Sequence, residues 1–290
     1  MYERILLPVD ESTSSSAVLH HASELAHWDD AEIRLLFVAD TTRDSVTVVG
    51  NDVVDALERE GESVVEEASQ TLQNLGVDYS TDVVQGNPAP TIVEYADEYD
   101  YDLIVMPTHG REGISRQLRG SVTEKVVRLS DRPVLTARMK PDEELTFPYE
   151  RILIPTDGSR SAKRATSHGL ALAAELDATV HVLSVVDDSA LGFDVRSMLS
   201  GEESERGANE AISQVVEEAN EHGVTKLAET IEHGSPSEAI REYVADNDIH
   251  AVVMGTTGRS GVDRILLGSV AEETVRSVPV PVITVSPAEE

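Results

Sequence analysis

The chain has no cysteine, few aromatic residues and almost no lysine. Without cysteine, disulfides, thiolate catalysis and thiolate metal sites are excluded together. Aromatic residues make up only 4%, so the cores must be built mostly from Val, Ile, Leu and Ala, as buried parallel strands covered by helices require. Lysine occurs at Lys125, Lys140, Lys163 and Lys226, which leaves arginine to supply the rest of the 23 basic residues. No apolar run approaches the roughly 18 residues needed to span a bilayer. Met1-Tyr2-Glu3-Arg4-Ile5 enters a strand-like run at once, leaving no room for a signal peptide, and the expectation is a cytoplasmic protein.

Acid is abundant. The 54 acidic residues leave a formal charge of −31, which argues against nucleic acid or an anionic membrane as a partner. A lysine-poor, acid-rich surface is expected of a protein that stays hydrated in concentrated salt, where self-repulsion is screened over about 3 Å at 1 M; a halophilic host is the preferred explanation. Regular apolar runs cover most of the length, which is not the pattern of a disordered acidic chain. At 290 residues and 40% hydrophobic, the chain can build two ordinary domains.

Internal repetition sets the architecture. Tyr2-Glu3-Arg4-Ile5-Leu6-Leu7-Pro8-Val9-Asp10 recurs 147 residues later as Tyr149-Glu150-Arg151-Ile152-Leu153-Ile154-Pro155-Thr156-Asp157. Gly86-Asn87-Pro88 recurs as Gly234-Ser235-Pro236, and Pro133-Val134-Leu135-Thr136 as Pro281-Val282-Ile283-Thr284, both at an offset of 148. This register predicts tandem domains at 1–139 and 149–290, joined by a charged, proline-bracketed linker at 140–148. Within each half, short apolar runs alternate with helical patterns, the signature of βαβ units. Strands are expected near 5–9, 33–38, 82–84, 103–106 and 134–137, and near 152–156, 180–185, 229–231, 252–254 and 282–285. Residues 40–51 and 187–206 read as polar, mobile loops. Ser235, Pro236 and Glu238 have the spacing of a capping box. The fold class is α/β: two tandem doubly wound, Rossmann-like domains, each with five parallel strands and about four helices.

In such sheets ligands settle beyond the carboxyl ends of the strands, where the strand order reverses. Asp10 and Asp157 follow the first strands there. After the fourth strand of the second half comes Gly255-Thr256-Thr257-Gly258, and nine residues further on Gly268-Ser269. Glycines let backbone approach a ligand, and Gly268-Ser269 are expected to offer free N–H donors and a hydroxyl at a helix N-terminus, a place suited to phosphate. The same glycines could serve tight turns only. Neither a G-x-G-x-x-G dinucleotide fingerprint nor a lysine-bearing phosphate loop is present, which argues against a dehydrogenase or P-loop NTPase.

The spacing G-x2-G-x9-G-[ST], with the early I-L-x-P-x-D strand and the G-x-P helix start, resembles the universal stress protein family of the UspA-like, nucleotide-binding type, and covers nearly the whole chain twice. The resemblance implies that ATP, or AMP or ADP, is held with its phosphates and ribose on the glycine motif. It implies adenosine on the aspartate after strand one and on a valine ending strand two. By position this gives Pro155, Asp157, Val185, Gly255, Gly258, Gly268 and Ser269 in the second half. In the first half it gives Pro8, Asp10, Val38, Gly110, Gly120 and Ser121. There Pro107 stands where the motif has glycine, removing an N–H and fixing φ, and Glu11 replaces Gly158; the second half is the better site. The resemblance also implies that the final strands, 134–137 and 282–285, pair the two domains into an intramolecular pseudo-dimer, with a homodimer of chains as a further option.

Other candidates read as structural. His20-His21 reads as a surface pair on a polar helix face, Trp28 as packing after a helix, and His109 has Thr257 as its counterpart. Near the second motif only Arg259 and Arg264 could meet phosphate charge, and neither half shows a duplicated base. Retention of a nucleotide with Mg²⁺, for sensing or regulation, is therefore favoured over turnover. The alternatives are a slow ATPase or nucleotidyl-transfer enzyme, and a nucleotide-free adaptor.

Overall fold

The computed structural model describes residues 1–10, 17–41, 51–108, 122–138, 145–187, 195–258 and 267–287, with backbone alone at 51–58 and 195–201. Two compact units divide the chain, Met1–Leu145 and Thr146–Glu290. The first runs β1 (Arg4–Pro8), α1 (Ala17–Asp29), β2 (Glu32–Asp40), α2 (Asn51–Leu75), β3 (Tyr79–Gly86), α3 (Pro88–Glu98), β4 (Leu103–Pro107), α4 (Val122–Leu129) and β5 (Val134–Ala137). Its strands lie parallel in the order β3-β2-β1-β4-β5. The second runs β6 (Arg151–Pro155), α5 (Arg160–Leu176), β7 (Thr179–Val186), α6 (Val195–Glu221), β8 (Leu227–His233), α7 (Pro236–Asp246), β9 (Ala251–Gly255), α8 (Ser269–Ser277) and β10 (Val282–Val285). Its order, β8-β7-β6-β9-β10, is the same and equally parallel. The expected α/β class, with five strands and four helices per half, is what the described residues form.

The strands are continuous apolar runs because helices cover both faces of each sheet. Ile5, Leu6 and Leu7 of β1 and Ile152, Leu153 and Ile154 of β6 are fully buried. In α5, Ala165, Gly169, Leu172 and Ala173 turn inward at helical spacing. A Cβ on Gly169 would lie 2.8 Å from Ile154 Cδ1 and 3.2 Å from Val253 Cβ, so glycine here lets α5 lie close over β6 and β9.

Helix exits use a repeated device. Asp30 and Asp177 take positive φ after the first helix of each unit, and Asp100 and Asp248 do so after the third, where glycine is the usual left-handed residue. Lys226 Nζ lies 2.8 Å from Asp177, Arg132 lies 3.0 Å from Asp100, and Arg151 pairs with Asp248.

Several expectations need correction. Residues 195–206, read as loop, form the first turns of α6. Residues 202–206 are exposed and carry no apolar side chain, so they show no period to read, whereas Val195, Met198 and Leu199 stand at helical spacing and were the available signal. Of the other expected loop, residues 42–50 lie outside the described residues, and Asn51 opens α2. Ser235 is the N-cap of α7 and Pro236 its first residue, but the capping box does not form; Ser235 Oγ lies 3.4 Å from Ser237 Oγ instead. His21 is buried, not on the surface, with Nδ1 3.3 Å from Glu24 Oε2, whereas His20 is exposed. Trp28 lies within α1, half-buried.

Candidate functional site

In the second unit β6 and β9 are neighbours in register only at Ile152↔Ala251 and Leu153↔Val252. Beyond these residues the strand order reverses, and the carboxyl ends frame a pocket of about 440 Å³, within the usual range of roughly 300–1,000 Å³ for small-molecule sites. Its apolar lining comes from Leu183 and Val185 of β7, Pro236 and Ile240 of α7, Met254 of β9 and Pro155 of β6. Its backbone-rich wall is formed by Thr256, Thr257, Gly258, Gly268, Ser269 and Val270. Asp157 is the one ionisable side chain on the described wall.

The turn after β9 is held at every backbone polar group of two successive residues. Thr256 N–H donates to Val285 C=O at 3.2 Å, and Thr256 C=O accepts from Gly268 N–H at 2.8 Å. Thr257 N–H donates to Ser161 Oγ at 3.3 Å, and Thr257 C=O accepts from Ser159 Oγ at 3.4 Å. The following N–H, that of Gly258, is then presented from a fixed backbone. Asp157 Oδ1 accepts from Ser159 N–H at 2.9 Å, while Oδ2 stands 3.0 Å from where a Gly258 Cβ would be. A side chain at Gly258 would therefore press on that carboxylate, which would have to shift by a few tenths of an ångström.

Two helix N-termini converge on this edge and differ in availability. That of α5 is closed by its own N-cap, since Ser159 Oγ accepts from Ala162 N–H at 3.2 Å. That of α8 begins at Gly268, which has extended backbone and no capping side chain. Its first-turn donors, at Ser269 and Val270, lie on the pocket wall and have no acceptor within the helix. A partial positive charge gathers there, so of the two ends that of α8 is the one suited to an anion. Gly268 itself departs from expectation: its N–H is engaged by Thr256 C=O and is not a free donor.

The structure thus brings together Pro155, Asp157, Val185, Gly255, Gly258, Gly268 and Ser269 around one cavity. In the first unit, Pro8 is buried at the end of β1, Asp10 is exposed just beyond it, and Val38 lies in β2 beside Val84. Gly110, Gly120 and Ser121, with Glu11, His109, Arg259 and Arg264, lie outside the described residues. Sequence reasoning missed Ser159 and Ser161, which touch the motif only through its backbone. It also missed the α7 wall at Pro236 and Ile240; the G-x-P start that marked that helix was the available signal. A second cavity, of about 590 Å³ beside β8 and α7, is faced by Glu232, Glu238, Glu242 and Asp246 and is unsuited to an anion. Among the described residues no group of three or more His, Asp or Glu is arranged to hold a metal ion, and no helix is long and apolar enough to cross a membrane.

Fold and pocket together define a duplicated α/β protein with a small-molecule cleft at the sheet's switch point. The chain belongs to the universal stress protein family, whose model matches residues 1–138 and again 148–286. Among its relatives, universal stress protein MJ0531 of Methanocaldococcus jannaschii is 38% identical over 144 residues, 47% of this chain and 82% of that protein. MJ0577 of the same organism is 30% identical over 157 residues, 48% of this chain and 97% of its own. A universal stress protein from Archaeoglobus fulgidus has the same fold, with a TM-score of 0.71 over 99% of this chain and 97% of that one, at 24% identity.

Proposed function

We propose that the second unit binds an adenine nucleotide, ATP in the first instance, and that the chain retains it as a sensor or regulator in a stress response. The observation that carries this reading is the uncapped N-terminus of α8, whose first-turn donors line the same pocket as Gly258 and the apolar Val185, Ile240 and Met254. Phosphates lie on the backbone-rich wall, and the base lies between Val185, Ile240 and Met254. Asp157, held by Ser159 N–H at 2.9 Å on Oδ1, meets the ribose. Mg²⁺ enters with the nucleotide: it would offset phosphate charge near Asp157, the one carboxylate on the described wall and too little for a protein-built cage.

Retention is favoured over turnover because the described wall holds no cationic side chain to meet charge on a transferring phosphoryl group. A cytoplasmic setting, concentrated salt and pairing through the final strands belong to the same proposal and rest on the sequence. Acid extraction of the purified protein, followed by chromatography of the released nucleotide, tests the reading. One adenine nucleotide per chain is expected, with phosphate release over hours. Turnover within seconds would make the protein an enzyme, and no extracted nucleotide with no heat on ATP titration would make it an adaptor.

A further inference from the structure

We infer that Ser161 is a positioning residue for the phosphate end of this pocket, acting through the backbone of Thr257; the inference rests on the nucleotide reading above. Ser161 sits in the first turn of α5, 2% exposed, behind the pocket wall. Its hydroxyl accepts from Thr257 N–H at 3.3 Å and donates to Val285 C=O at 3.3 Å. One oxygen therefore ties the start of α5 to the end of β10 and to the residue preceding Gly258.

The peptide between Thr256 and Thr257 is gripped from two sides, by Gly268 N–H on its carbonyl and by Ser161 on its N–H. Its orientation sets the direction of the chain into Gly258, which lines the pocket. If Ser161 lets go, the Thr256–Thr257 plane is held at its carbonyl only, and the next peptide, which carries the Gly258 N–H, is left to the 3.4 Å bond from Ser159 Oγ to Thr257 C=O. The same packing explains Gly255 without any ligand. A Cβ there would overlap the Ser161 hydroxyl and would stand 2.7 Å from the Ser161 carbonyl carbon and 2.9 Å from Ala162 N, distances that side chains do not adopt. The glycine of the motif is thus needed to let Ser161 reach the turn, and the two residues form one device.

Ser161→Ala in the full chain tests this, with ATP and adenosine titrated separately and amide exchange at Thr257 followed in the ligand-free protein. Loss of one hydrogen bond at the phosphate end predicts a Kd for ATP raised about 10-fold, with the Kd for adenosine unchanged. Thr257 exchange is expected to quicken by a similar factor while the unfolding midpoint stays near wild type. Equal losses for ATP and adenosine, or unchanged Thr257 exchange, would overturn the role. If the wild-type protein takes neither ligand, the nucleotide reading fails, and the exchange comparison still decides whether Ser161 holds the turn.

Discussion

The two units share strand order and helix number but part at the glycine motif. Up to the residue after the fourth strand they agree: Thr108 N–H donates to Ala137 C=O at 3.0 Å, and Thr256 N–H donates to Val285 C=O at 3.2 Å. Pro107 then occupies the place of Gly255, and Thr123 that of Ala271. Thr123 Oγ1 donates to Pro107 C=O at 2.7 Å, so the first unit bridges strand end to helix where the second has a methyl group lining a pocket. Identical topology thus leaves the strand end open to different bonding: a side-chain hydroxyl reaches it from α4 in the first unit, and Ala271 offers none from α8 in the second.

The comparison can be broken most severely at position 255. Gly255→Pro imports the residue of the first unit, removes an N–H and drives a Cβ into the start of α5. ATP affinity is expected to fall by at least about 100-fold, read by calorimetric titration; wild-type affinity would mean the motif is not where phosphate sits. Gly268→Val should cost about 10-fold or more. A Cβ at 268 would stand 3.1 Å from Thr256 O and 3.5 Å from Thr257 Cα, so the added bulk presses on the turn, and amide shifts at Thr256 and Thr257 should accompany the loss.

Gly169→Ala makes the second unit resemble the first, which has a fully buried Ala22 there. Ile154 must yield, and a loss of about 1–3 kcal/mol in stability is expected from overpacking, with nucleotide affinity retained once folded. Chemical denaturation of the variant measures it, and an unchanged midpoint would show that α5 has slack. The smallest effect concerns the histidine one residue earlier, His168, whose counterpart is His21. Removal from water, and then the nearby Arg164, push His168 down to about 4. The folded state prefers the neutral ring, so its contribution is complete above the unfolded value of about 6.5 and is lost as pH falls from there toward 4. Replacing His168 with Gln should flatten the dependence of the unfolding midpoint across that window.

Much of this was legible in the chain. The 147- to 148-residue register, the apolar strands and the G-x2-G-x9-G-S spacing are periodic or local, and such signals survive without coordinates. The strands at Val134–Ala137 and Val282–Val285 match expectation at both ends. What escaped was set by partners distant in sequence. Gly268 donates inward because Thr256 C=O, twelve residues earlier, needs a donor. His21 is buried in the packing of α1 against the rest of the unit, although His20 beside it is polar and exposed. Ser161 looks like one more helix-start serine until β10 is placed beside it.

The left-handed aspartates at helix exits bear on how this protein is tied to its surroundings. A carboxylate at a helix C-terminus opposes the helix dipole, and glycine would meet the same backbone need without charge. Lys226, one of four lysines in the chain, and two arginines stand at three of these sites. Dilution strengthens the repulsion among the remaining acids more than it strengthens three exposed pairs. Placing glycine at Asp30, Asp100, Asp177 and Asp248 should therefore weaken the dependence of stability on ionic strength, read as the unfolding midpoint against salt concentration, with the pocket left untouched.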